Sequence, residues 1–102
     1  MTKPMDKRQV LAGAFHNQLT EVLHYYNMTE HQRQVMVEAK FEVNDWENQT
    51  PALPVVTWEV AGYKENTIAL ELMGRNRAPI EALGRRVALR CYKWVAALDL
   101  GE

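Results

Sequence analysis

Residues 72–83 read LMGRNRAPIEAL, and the interpretation of the second half of the chain depends on this stretch. Gly74–Arg77 interrupts the apolar periodicity on either side and predicts a break between two elements. Pro79 suits the first position of a helix, where its missing N–H group has no partner to lose. We therefore predict a long helix that begins at Pro79 and ends near Leu98.

The predicted helix over 79–98 has one apolar stripe and one basic stripe. Apolar or small residues recur at helical spacing and should face the core: Ile80, Leu83, Gly84, Val87, Cys91, Val95 and Leu98. Gly84 within this stripe predicts the close approach of another element. Arg86, Arg90 and Lys93 follow one another at i, i+4 and i+7, so they should form one line along the helix.

The centre of the chain predicts a strand, a turn and an ambiguous segment. The strand is expected over 55–61 and the turn over 62–66. One face of this strand carries Val56, Trp58 and Val60. Residues 67–73 alternate as in a strand but contain mostly helix formers. Both a third strand and a short helix therefore remain open for that segment.

The first half of the chain predicts one helix, one strand and a loop. Apolar residues at three- and four-residue steps predict a helix over 6–27, with Asp6 as its N-cap. Apolar and polar residues alternate over 34–44, which predicts a strand with one wet face. Asparagine and proline residues over 45–54 indicate a loop.

These elements fit one small α+β domain over residues 1–102, since this length suits a single core. The order is α-β-β-α-α if 67–73 is a helix and α-β-β-β-α if it is a strand. The chain has no apolar run long enough for a membrane span and no pattern typical of a signal peptide. A lone cysteine, Cys91, favours burial in the helix stripe and a cytoplasmic location.

Charge is distributed unevenly along the chain. The net charge is −1, which excludes a strongly basic surface overall. The stretch over 73–94 nevertheless contains a single acidic residue, Glu81, and six basic ones: Arg75, Arg77, Arg85, Arg86, Arg90 and Lys93. Because salt screens charges beyond about 8–10 Å, such a stretch attracts anions locally.

The break before the long helix predicts an anion site. A helix N-terminus presents free backbone N–H groups and a partial positive charge. With the basic stripe, it predicts a nucleic-acid surface made of Gly74, Arg75, Asn76, Arg77, Arg86, Arg90 and Lys93. The alternative is that these cations only keep the helix surface soluble.

Residues 72–83 also resemble the segment around the GxxG loop of KH domains, with most similarity to the Jag-type bacterial RNA-binding proteins. Trp58–Gly62 is similar to the second strand of that family. The resemblance implies a type II KH-like fold, RNA or single-stranded nucleic acid as partner, and a last strand near 97–100. Arg77 replaces the second glycine of the loop, so it would either obstruct the RNA backbone or contact a phosphate.

A third strand at 67–73 would instead give the element order of double-stranded RNA-binding domains. Those domains also have a basic loop before their last helix. The chain lacks their Ser-Lys-Lys cluster, since Asn76-Arg77-Ala78 occupies that place, and it lacks their Gly-Pro-x-His loop.

A protein-interaction or assembly module, with a homodimer as one version, is the alternative of a different class. It depends on Trp46, which either anchors a partner or folds back on the core, and on a second helix stripe at Leu89, Tyr92 and Ala96.

No arrangement of residues indicates an enzyme, a cofactor or a metal. The three histidines, His16, His24 and His31, lack the i,i+4 spacing of helical metal pairs. We therefore expect a domain that binds rather than catalyses.

Overall fold

The computed structural model describes residues 6–98, which form a small α+β domain, as predicted. The helices are α1 (Lys7–Tyr25), α2 (Glu30–Val37) and α3 (Arg77–Ala97), and the strands are β1 (Lys40–Val43), β2 (Val55–Val60) and β3 (Tyr63–Ile68). The strands form an antiparallel sheet in the order β1-β2-β3. Of the two predicted orders, α-β-β-β-α is the compatible one, with α2 as an added helix.

Helices α1 and α3 run parallel, side by side. Ala14 of α1 meets Gly84 of α3, and further along the pair the rings of Tyr26 and Tyr92 lie 4.5 Å apart between centroids. A Cβ on Gly84 would lie 2.7 Å from the Ala14 Cβ and 3.0 Å from the Phe15 backbone nitrogen. The predicted close approach at Gly84 is confirmed, and it brings the two helix backbones together.

The helix pair covers one face of the sheet. Phe15 of α1 stacks on Phe41 of β1, and Trp94 of α3 stacks on Tyr63 of β3, each at 4.3 Å between ring centroids. The predicted inward face of β2 is confirmed. Between the layers lies a core that includes Leu11, Phe15, Met36, Val56, Trp58, Leu72, Ile80, Cys91 and Val95.

The predicted start of the first helix is also confirmed. The Asp6 carboxylate accepts hydrogen bonds from the backbone N–H groups of Arg8 (3.0 Å) and Gln9 (3.4 Å). The helix ends at Tyr25, slightly before the predicted limit.

The predicted strand over 34–44 is wrong in its first half. Residues 30–37 form α2, because Thr29 and Gln32 make a capping box in which each side chain bonds the other residue's backbone N–H. The alternating valines do not share a face, since Val37 is 70% exposed. Only Lys40–Val43 pairs with β2, in the register Phe41↔Trp58.

The predicted turn over 62–66 is right at Gly62 but wrong for the four residues after it. The hairpin turns at Ala61 and Gly62, whose φ angles are 51° and 80°, as a two-residue type I′ loop requires. The residues after it form β3, which places polar Glu65 and Thr67 opposite Trp58 and Val56 of β2. The sequence pattern did not predict this strand over residues 63–66, because its inward face is largely polar and lacks the apolar alternation of a half-buried strand.

The ambiguous segment over 67–73 contains parts of both alternatives. Thr67 and Ile68 end β3, and Leu70–Met73 forms a 3₁₀ turn with Leu72 buried. Helix α3 begins at Arg77, two residues before the predicted Pro79. The last strand implied near 97–100 does not begin within the described residues: Ala97 ends α3 and Leu98 caps it, while 99–100 lie outside them.

Candidate nucleic-acid interface

The start of α3 is exposed and basic. Gly74, Arg75, Asn76 and Arg77 are all exposed and precede or open the helix. Asn76 is the N-cap, but among residues 6–98 no side chain caps the backbone N–H groups of the first turn. The start of α1, by contrast, is capped by Asp6. The N–H groups of Arg77 and Ala78 are therefore free to bind an anion.

The parallel arrangement places the start of α1 beside the start of α3. Gln9 and Val10 of α1 share a surface depression with Arg77. The two helix starts therefore lie at one end of the helix pair, which we call the basic end and which carries Lys7, Arg8, Arg75 and Arg77. Arg8 itself borders another depression there, with Phe41 and Val43 of β1. Both helix starts lie at this end, but the Asp6 carboxylate already occupies the start of α1, so only the start of α3 offers uncapped N–H groups.

Two of these four cations have a nearby carboxylate. The Arg77 guanidinium bonds Glu81 at 2.9 Å, and the Nε atom of Arg8 lies 3.8 Å from Asp6. Both pairs are exposed, so they contribute little stability and exchange readily with another anion. No carboxylate in residues 6–98 forms an ion pair with Lys7 or Arg75.

The predicted stripe on α3 is exposed, but two of its three cations are already paired. Arg86 forms an ion pair with Glu71 of the 3₁₀ turn, and Arg90 forms one with Glu65 of β3 at 2.5 Å. The Glu65 side chain is only 14% exposed. Within the described ranges, Lys93 alone of this stripe has no carboxylate partner. The structure therefore separates the predicted residues into two groups. In the exposed loop Arg75 is unpaired within residues 6–98 and Arg77 makes an exposed pair with Glu81. In the stripe two of three cations are paired with less exposed carboxylates.

Arg85 is a basic residue that the sequence did not assign to the site. It lies on the side of α3 that faces α1, where it borders two adjoining depressions with Gln18. Glu81, four residues before it, pairs with Arg77 instead. Arg85 thus has no ion-pair partner in the part of the chain that the structure describes. One sequence feature could have identified Arg85: it directly follows Gly84, the residue at which another element was expected to approach the helix.

The residues suggested for protein interaction are more buried than an interaction surface requires. Trp46 is 7% exposed, so it folds back on the core rather than anchoring a partner. Tyr92 packs on Tyr26 and is half-buried, as is Leu89. A different apolar surface lies just before the basic loop, where three side chains are more than half exposed: Ile68, Leu70 and Met73.

Cys91 lies in the core, and the described histidines take part in no metal-binding group. Cys91 is buried against the sulfur of Met36, and burial raises the pKa of its thiol to about 12. Across residues 6–98 no group of three histidine, cysteine or acidic side chains is placed to hold a metal ion. Over the same residues, no helix combines the length and apolarity that a bilayer crossing needs.

Comparison with protein-family models finds no match to this chain, and neither do comparisons with curated proteins and with solved structures. The interpretation of the site therefore depends on its own geometry.

Proposed function

We propose that this domain binds RNA or single-stranded nucleic acid, with phosphates held at the basic end. The observation that supports this most is the juxtaposition of two parallel helix starts with Lys7, Arg8, Arg75 and Arg77. Free N–H groups and guanidinium groups are the donors that bind phosphate oxygens best in proteins.

The stripe on α3 extends this surface. Lys93 is available for a phosphate, whereas Arg86 and Arg90 contribute only where a phosphate replaces Glu71 or Glu65. Each such replacement breaks an ion pair to a partly buried carboxylate, whereas the pair that Arg77 makes with Glu81 is exposed and less costly to break. We therefore rank the loop residues Gly74–Arg77 above the stripe as phosphate contacts.

The two family resemblances make different predictions about the form of RNA. The KH resemblance implies a single strand, and the α-β-β-β-α order is that of domains that bind duplex RNA. Both place a basic loop before the last helix, so single and double strands are separate arms of one test.

The test is a fluorescence anisotropy titration with labelled single-stranded RNA, the same strand as DNA, and the RNA duplex. We expect binding at low salt that weakens as salt rises, since phosphate contacts release counterions. The double variant Arg75→Ala/Arg77→Ala should weaken binding about tenfold or more and reduce the salt slope by about 0.7 for each lost contact.

A charge-matched control comes from the outer face of the sheet. The double variant Lys40→Ala/Lys64→Ala removes the same net charge from two exposed strand residues. It should leave the affinity within about a factor of three, since these lysines lie away from the basic end. Absence of binding at low salt would refute the proposal, as would an equal loss in both double variants.

A second candidate is a homodimeric assembly module. The exposed patch of Ile68, Leu70 and Met73 favours it, because contiguous apolar side chains on a small domain often mark an interface. Light scattering across a concentration series should then show a dimer that the variant Leu70→Ser/Met73→Ser converts to a monomer. A monomer at high concentration would exclude this candidate.

A further inference from the structure

We propose that a single nucleic-acid strand lies along the groove between α1 and α3, with its bases against the groove and one base stacked on Tyr25. This inference rests on the proposed function, because the phosphate at the basic end fixes where the strand enters. It differs from a path over Arg86, Arg90 and Lys93, which lie on another side of α3.

The α1–α3 groove consists of two neighbouring depressions, the first at the basic end and the second at the last turn of α1. Its first part, about 260 Å³, lies between Gln9, Gly13 and Asn17 of α1 and Arg77 and Arg85 of α3. Its second part, about 440 Å³, reaches Tyr25. Both parts are bordered by Gln18 and Arg85, so they are neighbours on the same side of the helix pair.

The lining of the groove suits base edges better than phosphates. Its charges nearly cancel, since Arg77 pairs with Glu81 and Arg85 lies in the part that also contains Glu21. What remains are side-chain amides, from Gln9, Asn17 and Gln18, beside a guanidinium without an ion-pair partner among residues 6–98. Amide and guanidinium groups both donate to the acceptors on base edges, and amides also accept.

An aromatic side chain ends the groove. Tyr25 is 77% exposed, and its ring contacts the His24 ring edge-on at a centroid distance of 5.0 Å. Exposed aromatic rings beside basic residues are the stacking platforms of single-strand binding proteins. A duplex does not present unstacked bases to such a ring, so this feature selects a single strand.

Gly13 allows the groove to be filled without disturbing the fold. A Cβ on Gly13 would have no atom within 4 Å, and the residue borders the first part of the groove. Gly13→Leu therefore places an apolar side chain where a base would lie, and Gly13→Ala is its matched control.

The experiment measures binding of a short fluorescein-labelled single-stranded RNA by the full chain at low salt. We expect Gly13→Leu to weaken binding about tenfold and Gly13→Ala to change it less than about twofold. Tyr25→Leu should also weaken binding about tenfold, and Tyr25→Phe, which keeps the ring, should restore it. Urea unfolding of each variant verifies that it is folded.

A second readout locates the strand directly. RNA that contains 4-thiouridine should crosslink on irradiation to peptides bordering the groove, such as 9–25, rather than to the face with Lys93. This readout uses the unaltered protein, so it decides the matter even if Gly13→Leu unfolds.

The failures of the two proposals are distinguishable. If Arg75→Ala/Arg77→Ala abolishes binding while Gly13→Leu and Tyr25→Leu bind normally, the groove inference is overturned and the proposed function stands. If the unaltered chain binds neither RNA nor single-stranded DNA, the proposed function fails. Tighter binding of duplex than of single strand, with crosslinks outside 9–25, would also overturn the groove inference.

Discussion

The two sides of α3 carry the same residue type in different electrostatic states. On the side toward β3, Arg86 and Arg90 are paired with carboxylates of the 3₁₀ turn and the strand. On the side toward α1, Arg85 borders a groove whose lining includes three side-chain amides, and it has no ion-pair partner within residues 6–98. The first side therefore uses its arginines for tertiary structure, and the second leaves one available to a ligand.

The difference also extends to packing. Toward α1, backbone meets backbone, because Gly84 has no side chain to separate the helices. Toward β3, long side chains connect the helix to the strand. Close packing depends on shape and tolerates no added atom, whereas ion pairs at a partly exposed surface depend on salt. Four measurements test this difference between the two sides of α3.

The largest effect concerns Cys91, which lies on the buried line between the two sides. Its thiol is inaccessible in the folded chain. Alkylation at neutral pH should be at least about a thousandfold slower than in urea, because the domain must open first and its stability is about 5 kcal/mol or more. Mass spectrometry after timed quenching measures the rate. A native rate equal to that of a free thiol would show that one side of α3 is open.

The same thiol predicts a loss of stability in base. Burial raises the pKa of Cys91 from 9.0 to about 12. Above pH 9 the unfolded chain loses this proton while the folded chain keeps it, so the stabilisation present below pH 9 falls progressively toward pH 12. Urea unfolding across this range should show a steeper decline than in Cys91→Ala. Parallel declines would contradict the burial of the thiol.

The next effect tests the α1 side. Gly84→Ala should destabilise the domain by about 1–3 kcal/mol, because the new Cβ overlaps Ala14 and forces the helices apart. The control Gly13→Ala lies in α1 with nothing nearby and should stabilise by about 0.5–1 kcal/mol. Urea midpoints measure both. Equal effects in the two variants would refute the close approach at Gly84.

The smallest effect tests the β3 side. Arg90→Met should cost about 1–2 kcal/mol and Arg86→Met less than about 1 kcal/mol, because Glu65 is 14% exposed and Glu71 29%. Unfolding at low and high salt measures both, and salt should narrow the gap between Arg90→Met and the unaltered chain. A larger cost for Arg86→Met than for Arg90→Met would contradict the expectation that the Arg90–Glu65 pair stabilises the fold more than the Arg86–Glu71 pair.

Three periodic patterns predicted their elements correctly, and a fourth, the alternation over 34–44, did not. The apolar stripes of α1 and α3 and the alternation in β2 each had a single consistent period, so their elements and inward faces followed from the sequence. The valines before β1 alternated as well, but the capping box at Thr29 and Gln32 overrode that pattern. That box was a readable signal. Strand β3 had no comparable signal, because Glu65 and Thr67 face inward.

The amino-acid sequence was sufficient to predict an α+β domain with a buried cysteine and to locate a concentration of cations in residues 73–94. Those properties follow from local spacing and composition. The parallel arrangement of α1 and α3 follows only from the three-dimensional structure. It places Lys7 and Arg8 at the same end of the helix pair as Arg75 and Arg77. The structure also pairs Arg90 with Glu65 and leaves Arg85 without an ion-pair partner among residues 6–98. Whether a charge is free depends on which distant residues lie within a few ångströms of it, and local spacing does not contain that distance.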